Sequence, residues 1–381
     1  EKLLILKLSK LSNFIPDGGI WLNTQRPEWN DANNALVGYG VSMVTLYYLN
    51  RHILFMNKIL ENANETLFET SKEVAIWFEK TNEAFKKHLY LLKNKIIPSK
   101  RKMFVEELQK IFYDYRKQTY NKNSAGVLKI KVLDIIEFNN LILRFFQHSI
   151  ENNKQELYNA YNTINIDESN EMNITQLYPM LEGQVSALSS GIVSPRQAIN
   201  TLNTLFKSDL YEKKQNSFML YPRKKLKRFL EKNIISDQIV RESALLKALI
   251  KLKNTDIIYK DNSEKYRFSD DLINSNYLKN KLSDLAKNKH LKEDVKNGGD
   301  KVIKHYIEIF DHQNYTGRSG TMYAYEGIGS IYWHMVSKLL LATQELFFHA
   351  IAINEKLSII QNLGVLYYKI RSGLSSGKTP E

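Results

Sequence analysis

Two stretches of the 381-residue chain concentrate side chains that could do chemistry. In TQRPEWNDANNALVGYG (24–40), Glu28 and Asp31 flank Trp29, with Asn30, Asn33 and Asn34 beside them. In DHQNYTGRSGTMYAYEGIGSIYWHMVSK (311–338), Asp311, His312, Arg318, Ser319, Thr321, Tyr325, Glu326 and His334 share one short span with four glycines. Rings beside hydrogen-bonding groups are what a sugar site needs, because pyranose C–H faces stack on aromatics while hydroxyls take polar partners. Plainer readings exist for both. Asp31 or Asn30 could simply cap a helix, with Gly38 and Gly40 allowing close packing. A glycine-rich loop with one histidine is often only a turn beside a satisfied histidine, but the density of polar and aromatic types in 311–338 argues for a site.

Other chemistries find little support. His305 and His312 are seven apart and lack an acidic partner at metal-ligand spacing, so no metal site is expected. GRSG and GIGS match no phosphate-loop pattern, and neither a dinucleotide fingerprint nor a nucleophile elbow occurs. The chain has no cysteine, which excludes disulfides and thiolate metal sites and fits a reducing, cytoplasmic setting. No long apolar run suggests a membrane span, and the opening EKLLILKLSKLSNF alternates charge with leucine as an amphipathic helix would. The net charge of +13 raises the question of an anionic partner. Its lysines are scattered among acids, and the densest cluster, Lys224, Lys225, Lys227 and Arg228, suits a solvated helix face.

The elements that would hold these residues are predicted to be helices. Leu46, Leu49, Ile53, Met56 and Leu60 step by three and four, as do Val74, Phe78, Phe85, Leu89 and Leu92. Phe104, Leu108, Ile111 and Tyr115 continue the pattern, then Leu133, Ile136, Leu143 and Ile150, and finally Val336, Leu340, Phe347 and Ile351. The asparagine-rich ENNKQELYNAYNTINIDESNEMN (151–173) reads as a loop or weak linker. In EGQVSALSSGIVSPRQAINTLNTLF, Ser194, Pro195 and Gln197 form a capping-box signature that starts the second helix of a hairpin. DIIYKDNSEKYRF (256–268) is a candidate small β-hairpin. With no alternation of strands and helices, the expectation is an all-α fold, a toroid of helical hairpins with one small β-hairpin insertion. The first residue is not methionine and the chain stops on GLSSGKTPE, so the expectation is a piece of a longer polypeptide.

At these residues the sequence resembles the inverting glycoside phosphorylases of the cellobiose and chitobiose type, and more loosely other six-hairpin α/α-barrel glycosidases. EWNDANNALVG (28–38) is similar to the family's Asp-Trp-Asn-Asp-Gly motif; EGQVSALSSGIVSPRQAINTLNTLF, with NSFMLYP (216–222), to a barrel hairpin; GSIYWHMVSKLLLATQE (329–345) to its Gly-Ile-Phe-x-His-Ala-Asn motif. The resemblance implies an (α/α)6-barrel-like fold, here its C-terminal portion. Residues 1–381 would belong to one catalytic domain, with a helical, asparagine-rich insertion at 61–175 and a charged helical one at 223–310. It makes Asp31 the catalytic acid and His334 a phosphate ligand. Glu28 replaces the motif's first aspartate, and Met335-Val336 stand where the family has Ala-Asn.

The function so implied is phosphorolysis of a β-linked disaccharide or oligosaccharide with inversion, releasing a sugar 1-phosphate. Phosphate needs no second carboxylate to activate it, only donors such as Arg318, Ser319, Thr321 and His334. Trp29, Glu28, Asn30, Asn34, Gln184 and Tyr325 are the candidate sugar contacts, and Trp21 and Trp29 with the phosphate should keep Asp31 protonated. No cofactor is expected beyond inorganic phosphate as co-substrate, and no metal, membrane or nucleic acid. A homodimer is allowed, and the remaining N-terminal part of the polypeptide is a further partner. The first alternative is an inverting hydrolase with Asp31 as acid and Glu326 as base. The second is a basic helical scaffold for nucleic acid, which leaves the acidic and aromatic motifs unexplained.

Overall fold

A computed structural model describes residues 1–23, 36–121, 126–166, 170–222, 228–310 and 333–375. The chain divides into two compact units, Glu1–Arg223 with Gly327–Glu381, and Lys224–Glu326.

The first unit opens with α1 (Lys2–Leu11), β1 (Phe14–Ile15), β2 (Gly19–Trp21), β3 (Gly40–Ser42) and the long α2 (Met43–Glu61). It continues through β4 (Leu67–Ser71), α3 (Lys72–Lys87), α4 (Pro98–Tyr120), β5 (Val127–Lys131) and α5 (Val132–Asn153). After β6 (Tyr161–Ile166) and β7 (Met172–Gln176) come the hairpin of α6 (Leu181–Leu188) and α7 (Pro195–Leu205), then β8 (Tyr211–Glu212) and β9 (Ser217–Phe218). The second unit holds α8 (Phe229–Lys232), α9 (Asp237–Glu242), α10 (Ala244–Lys251), the hairpin of β10 (Ile258–Lys260) and β11 (Tyr266–Phe268), α11 (Ser275–Leu285) and α12 (Lys292–Phe310). Its core is its own, built on Leu245, Leu249, Phe268, Leu282, Val302 and Tyr306. The chain then returns to the first unit with α13 (Trp333–Ala352) and α14 (Leu357–Ser372).

The expected all-α fold is therefore corrected to a mixed one. Five short strands form an antiparallel sheet in the order β1-β2-β3-β6-β7, and β4–β5 and β8–β9 pair separately. Helical periodicity over long windows cannot register strands of two to six residues. Local turn chemistry could. In FIPDGGIW, Pro16 and Asp17 lead a turn in which Asp17 has φ 60° and Gly19 φ 118°, and Phe14 comes to pair with Ile20. A Cβ on Gly19 would stand 2.7 Å from the Ser42 carbonyl oxygen, so β2 and β3 approach as closely as they do only with glycine there.

The passage expected to be a loop, 151–173, instead supplies β6 and the start of β7, paired from Asn162 opposite Gln176 to Ile166 opposite Met172. Three of its asparagines, Asn153, Asn159 and Asn162, are buried and hydrogen-bond to one another and to backbone. Asn162 donates to Gly18 O (2.6 Å) and to Asn153 Oδ1 (2.9 Å), and accepts from Asn159. Asn153 in turn donates to the Asp17 carbonyl at 2.6 Å. A hydrogen-bonded amide network can occupy a core without the desolvation penalty of unpaired groups. Arg101 is buried against the same turn and donates to Pro16 O and Met172 O, both at 2.9 Å, with Asp17 at 3.7 Å. Burial lowers its pKa and the Asp17 carboxylate opposes that.

The helices bury the stripes that their sequences suggest, with two displacements. In α5 the buried apolar residues are Val132, Ile135, Phe138, Ile142, Phe145, Phe146 and Ile150, while Leu133 is exposed and Ile136 and Leu143 are half-buried. In α13 they are Val336, Leu339, Ala342, Thr343, Leu346 and Ala350, and Ile351 is exposed. Both helices are apolar around much of their circumference, so the sequence offers two neighbouring stripes, and packing chooses.

Candidate active site

The segment that carries Glu28, Trp29, Asn30, Asp31 and Asn34 lies outside the described residues, but its two ends are held together. Leu22 N–H donates to Gly40 O (2.9 Å), Gly38 N–H donates to Leu22 O (2.7 Å), and the Trp21 indole donates to Gly38 O (3.0 Å). The motif is thus the connection between two paired strands, β2 and β3. It does not open the helix directly. The helix starts at Met43, and its N-cap is Ser42, whose hydroxyl accepts from Thr45 N at 3.0 Å. Asp31 and Asn30, the caps expected from the sequence, lie outside the described residues; the cap of α2 is Ser42. Close packing at Gly40 is real: an added Cβ would fall 2.3 Å from Leu36 Cβ and 2.7 Å from Leu36 O.

Three helices of the first unit run in one direction with α6 between the other two. Tyr47, early in α2, donates to Asn159 O, and the neighbouring Tyr158 exchanges hydrogen bonds with Gln184 in the first turn of α6. Asn50, further along α2, reaches Ser190 O just past the end of α6 at 3.0 Å. α2 and α6 are therefore parallel. The α6–α7 and α13–α14 hairpins also match end for end. Arg196 at the start of α7 stands 3.9 Å from Glu355, between α13 and α14. Asn216 donates to Ser372 Oγ at the end of α14, and the strand that follows returns to α6 through Leu181 N–H on Leu220 O. The starts of α2, α6 and α13 consequently lie at one end of the unit. The chain enters α2 from TQRPEWNDANNALVGYG and enters α13 from the glycine-rich stretch.

Of the other sequence-predicted residues, Arg318, Ser319, Thr321, Tyr325 and Glu326 lie outside the described residues, as does the basic cluster Lys224, Lys225 and Lys227. His334 is the second residue of α13, at this end and exposed. Gln184 is wholly buried, and its amide is engaged by backbone: it accepts from Tyr158 N (2.9 Å) and donates to Tyr158 O (2.6 Å) and Met180 O (3.1 Å). Those bonds tie α6 to the strand before β6 and so set the position of its first turn.

That first turn carries a residue the sequence reading passed over. Glu182, the second residue of α6, is buried, with only 5% of its surface exposed. A carboxylate there is favoured by the helix dipole and adds negative charge to the shared end. Its field reaches Tyr48 on α2. Burial first, then the Glu182 and Glu345 carboxylates, raises the Tyr48 phenol above its ordinary pKa, and Arg51 opposes them. Arg51 itself bridges α2 to α13 through a two-pronged pair with Glu345 at 2.9 and 2.8 Å, which raises the guanidinium pKa further. The signal for Glu182 was present: it is the one acid in LEGQVSAL, a segment in which every residue is buried.

Residues 226–313 match a family model described as GH149 phosphorylase insertion domain 2. The match lies within the second compact unit and spans less than a quarter of the chain. It supports a glycoside phosphorylase, an enzyme of carbohydrate metabolism, without singling out the cellobiose or chitobiose type. No curated protein matches the chain. Among the described residues, no helix is long and apolar enough to cross a membrane.

Proposed function

We propose that the chain carries the catalytic residues of a glycoside phosphorylase that cleaves a β-linked disaccharide or oligosaccharide with inversion. The observation that carries this reading is the matched phosphorylase insertion domain. A second observation supports it: the helices that follow the two chemical motifs start at the same end of the first unit. In the proposed step, the Asp31 carboxyl gives its proton to the glycosidic oxygen as the bond from that oxygen to the anomeric carbon breaks. Inorganic phosphate attacks that carbon from the opposite face, and the products are a shortened sugar and an α-configured sugar 1-phosphate. His334, Arg318, Ser319 and Thr321 would hold the phosphate, whose charge they offset. Trp29, Glu28, Asn30, Asn34 and Tyr325 would line the sugar, the ring of Trp29 keeping the acid partly desolvated and protonated. Gln184 enters as a residue that positions α6. The proposed setting is the cytoplasm.

Replacing Asp31 by Asn removes the transferable proton and keeps the side chain's size. Phosphorolysis should fall by about a hundredfold or more, the usual range for loss of a general acid. Retention of near-normal activity in Asp31→Asn would remove Asp31 from this role. The hydrolytic alternative, with Glu326 as base, predicts sugar release that is indifferent to phosphate.

A further inference from the structure

A cavity of about 440 Å³ opens in the first unit between α1, α2 and the paired strands β4 and β5. Nothing in the phosphorylase reading uses it. Its walls are apolar, with Leu3, Leu4, Met56, Ile59, Leu60 and Phe68 facing inward. Its lining also includes two polar groups of a different kind, Lys7 and His52.

The Lys7 side chain is almost entirely buried, at 3% exposure. Among the described residues its ammonium makes one hydrogen bond, to Asn139 Oδ1 at 2.5 Å, and it lies 5.0 Å from the centre of the Phe138 ring. The Asn139 amide is fixed in turn, its nitrogen donating to Asn57 Oδ1 at 2.7 Å. Among the described residues His52 Nε2, which is buried, has no hydrogen-bond partner. A buried amine with donors to spare, the imidazole nitrogen and apolar walls together suit an anion with a hydrocarbon tail. Burying a cation is costly unless it is paired, and an incoming carboxylate would supply the pair.

We propose that this cavity binds an amphipathic monocarboxylate, its aliphatic tail among Leu3, Met56 and Phe68 and its carboxylate on the Lys7 ammonium. The volume is within the ordinary range for small-molecule sites, roughly 300 to 1,000 Å³. The charged and titratable groups facing Lys7 are few. His52 is the neighbour inside the cavity, and its pKa is lowered by burial and by the Lys7 charge. Glu1, Lys2 and Glu69 are exposed members of the lining, and Glu1 is already held by Ser71. Burial brings the Lys7 amine down to about 7. Binding should therefore take up a proton and weaken as the solution becomes alkaline.

The test is calorimetric titration of the protein with octanoate, with octylamine and octanol as ligands of the same tail and different heads. Octanoate should bind and the other two should bind at least about tenfold more weakly. Its affinity should fall about tenfold between about pH 6 and about pH 8, as an amine of pKa 7 goes from roughly nine-tenths to one-tenth protonated. Lys7→Met keeps the length of the side chain and removes its charge, and should cost at least about tenfold and abolish the pH dependence. Met56→Trp keeps Lys7 and fills the cavity, and should also abolish binding, which keeps the test decisive if Lys7→Met fails to fold. Absence of octanoate binding to the unmodified protein overturns the proposal. So does equal binding by Lys7→Met or by octylamine, either of which would make the cavity a merely apolar hole.

Discussion

Replacing Lys7 by methionine should change how stability depends on pH. The amine has an ordinary pKa of 10.5 in the unfolded chain and about 7 when buried. Between those values the unfolded chain holds a proton that the folded chain has released, so stability rises with pH through that window. The slope reaches about 1.4 kcal/mol per pH unit where the two states differ by one full proton. Integrated from about pH 7 to about pH 9, the gain due to Lys7 is about 2 kcal/mol. Below about 7 both states are protonated, the dependence disappears, and the full cost of burying the charge is present. Methionine carries no proton and fits the same space. Its drawback is that Asn139 Oδ1 loses its donor, at about 1–3 kcal/mol, but that cost does not vary with pH and cancels from the slope. Urea unfolding of both proteins from about pH 7 to about pH 9 gives the comparison, because His52, the group whose pKa the Lys7 charge lowers, titrates below this window and the remaining contributions are shared. The stability of the unmodified protein minus that of Lys7→Met should climb by about 2 kcal/mol toward alkaline pH. Parallel curves would mean that Lys7 holds the same charge in both states, and would refute the buried, depressed amine.

Three further outcomes follow from the same structure. Gly40→Ala would force β3 away from Leu36, because its Cβ would meet that residue's backbone as well as its side chain; a loss of about 1–3 kcal/mol in thermal or urea unfolding is expected. Arg101→Leu would strand the carbonyls of Pro16 and Met172 and leave Asp17 with His148 and Asn152 alone, for about 3–5 kcal/mol in urea unfolding. Ser194→Ala would remove one half of the capping box that starts α7, where Ser194 Oγ accepts from Gln197 N and Gln197 Oε1 accepts from Ser194 N. Its cost should be about 1 kcal/mol, with faster amide exchange confined to the first turn of that helix.

The helices were legible because their apolar residues recur over many turns: Leu46, Leu49, Ile53 and Leu60 are buried on α2, and Val74, Phe78 and Phe85 on α3. The capping box at Ser194 was legible because it depends on three residues close in sequence. The sheet was not. Its strands are short, one of them is asparagine-rich, and the buried Asn153 and Asn162 find their partners as far away as Asp17 and Gly18. Composition alone reads such residues as solvent-exposed. Lys7 and Asn57 likewise look like surface residues on amphipathic helices, and only long-range partners such as Asn139 reveal that they are buried. The chemical motifs stood out by residue type. What no local pattern could give was the end of the unit to which their helices point, because that follows from contacts between residues as distant as Arg51 and Glu345.

The central claim is tested most directly by following phosphorus resonances while the protein is incubated with β-linked disaccharides and oligosaccharides, with and without inorganic phosphate. The account predicts an α-configured sugar 1-phosphate that forms only when phosphate is present and disappears in Asp31→Asn. Release of free sugar at the same rate without phosphate would contradict it.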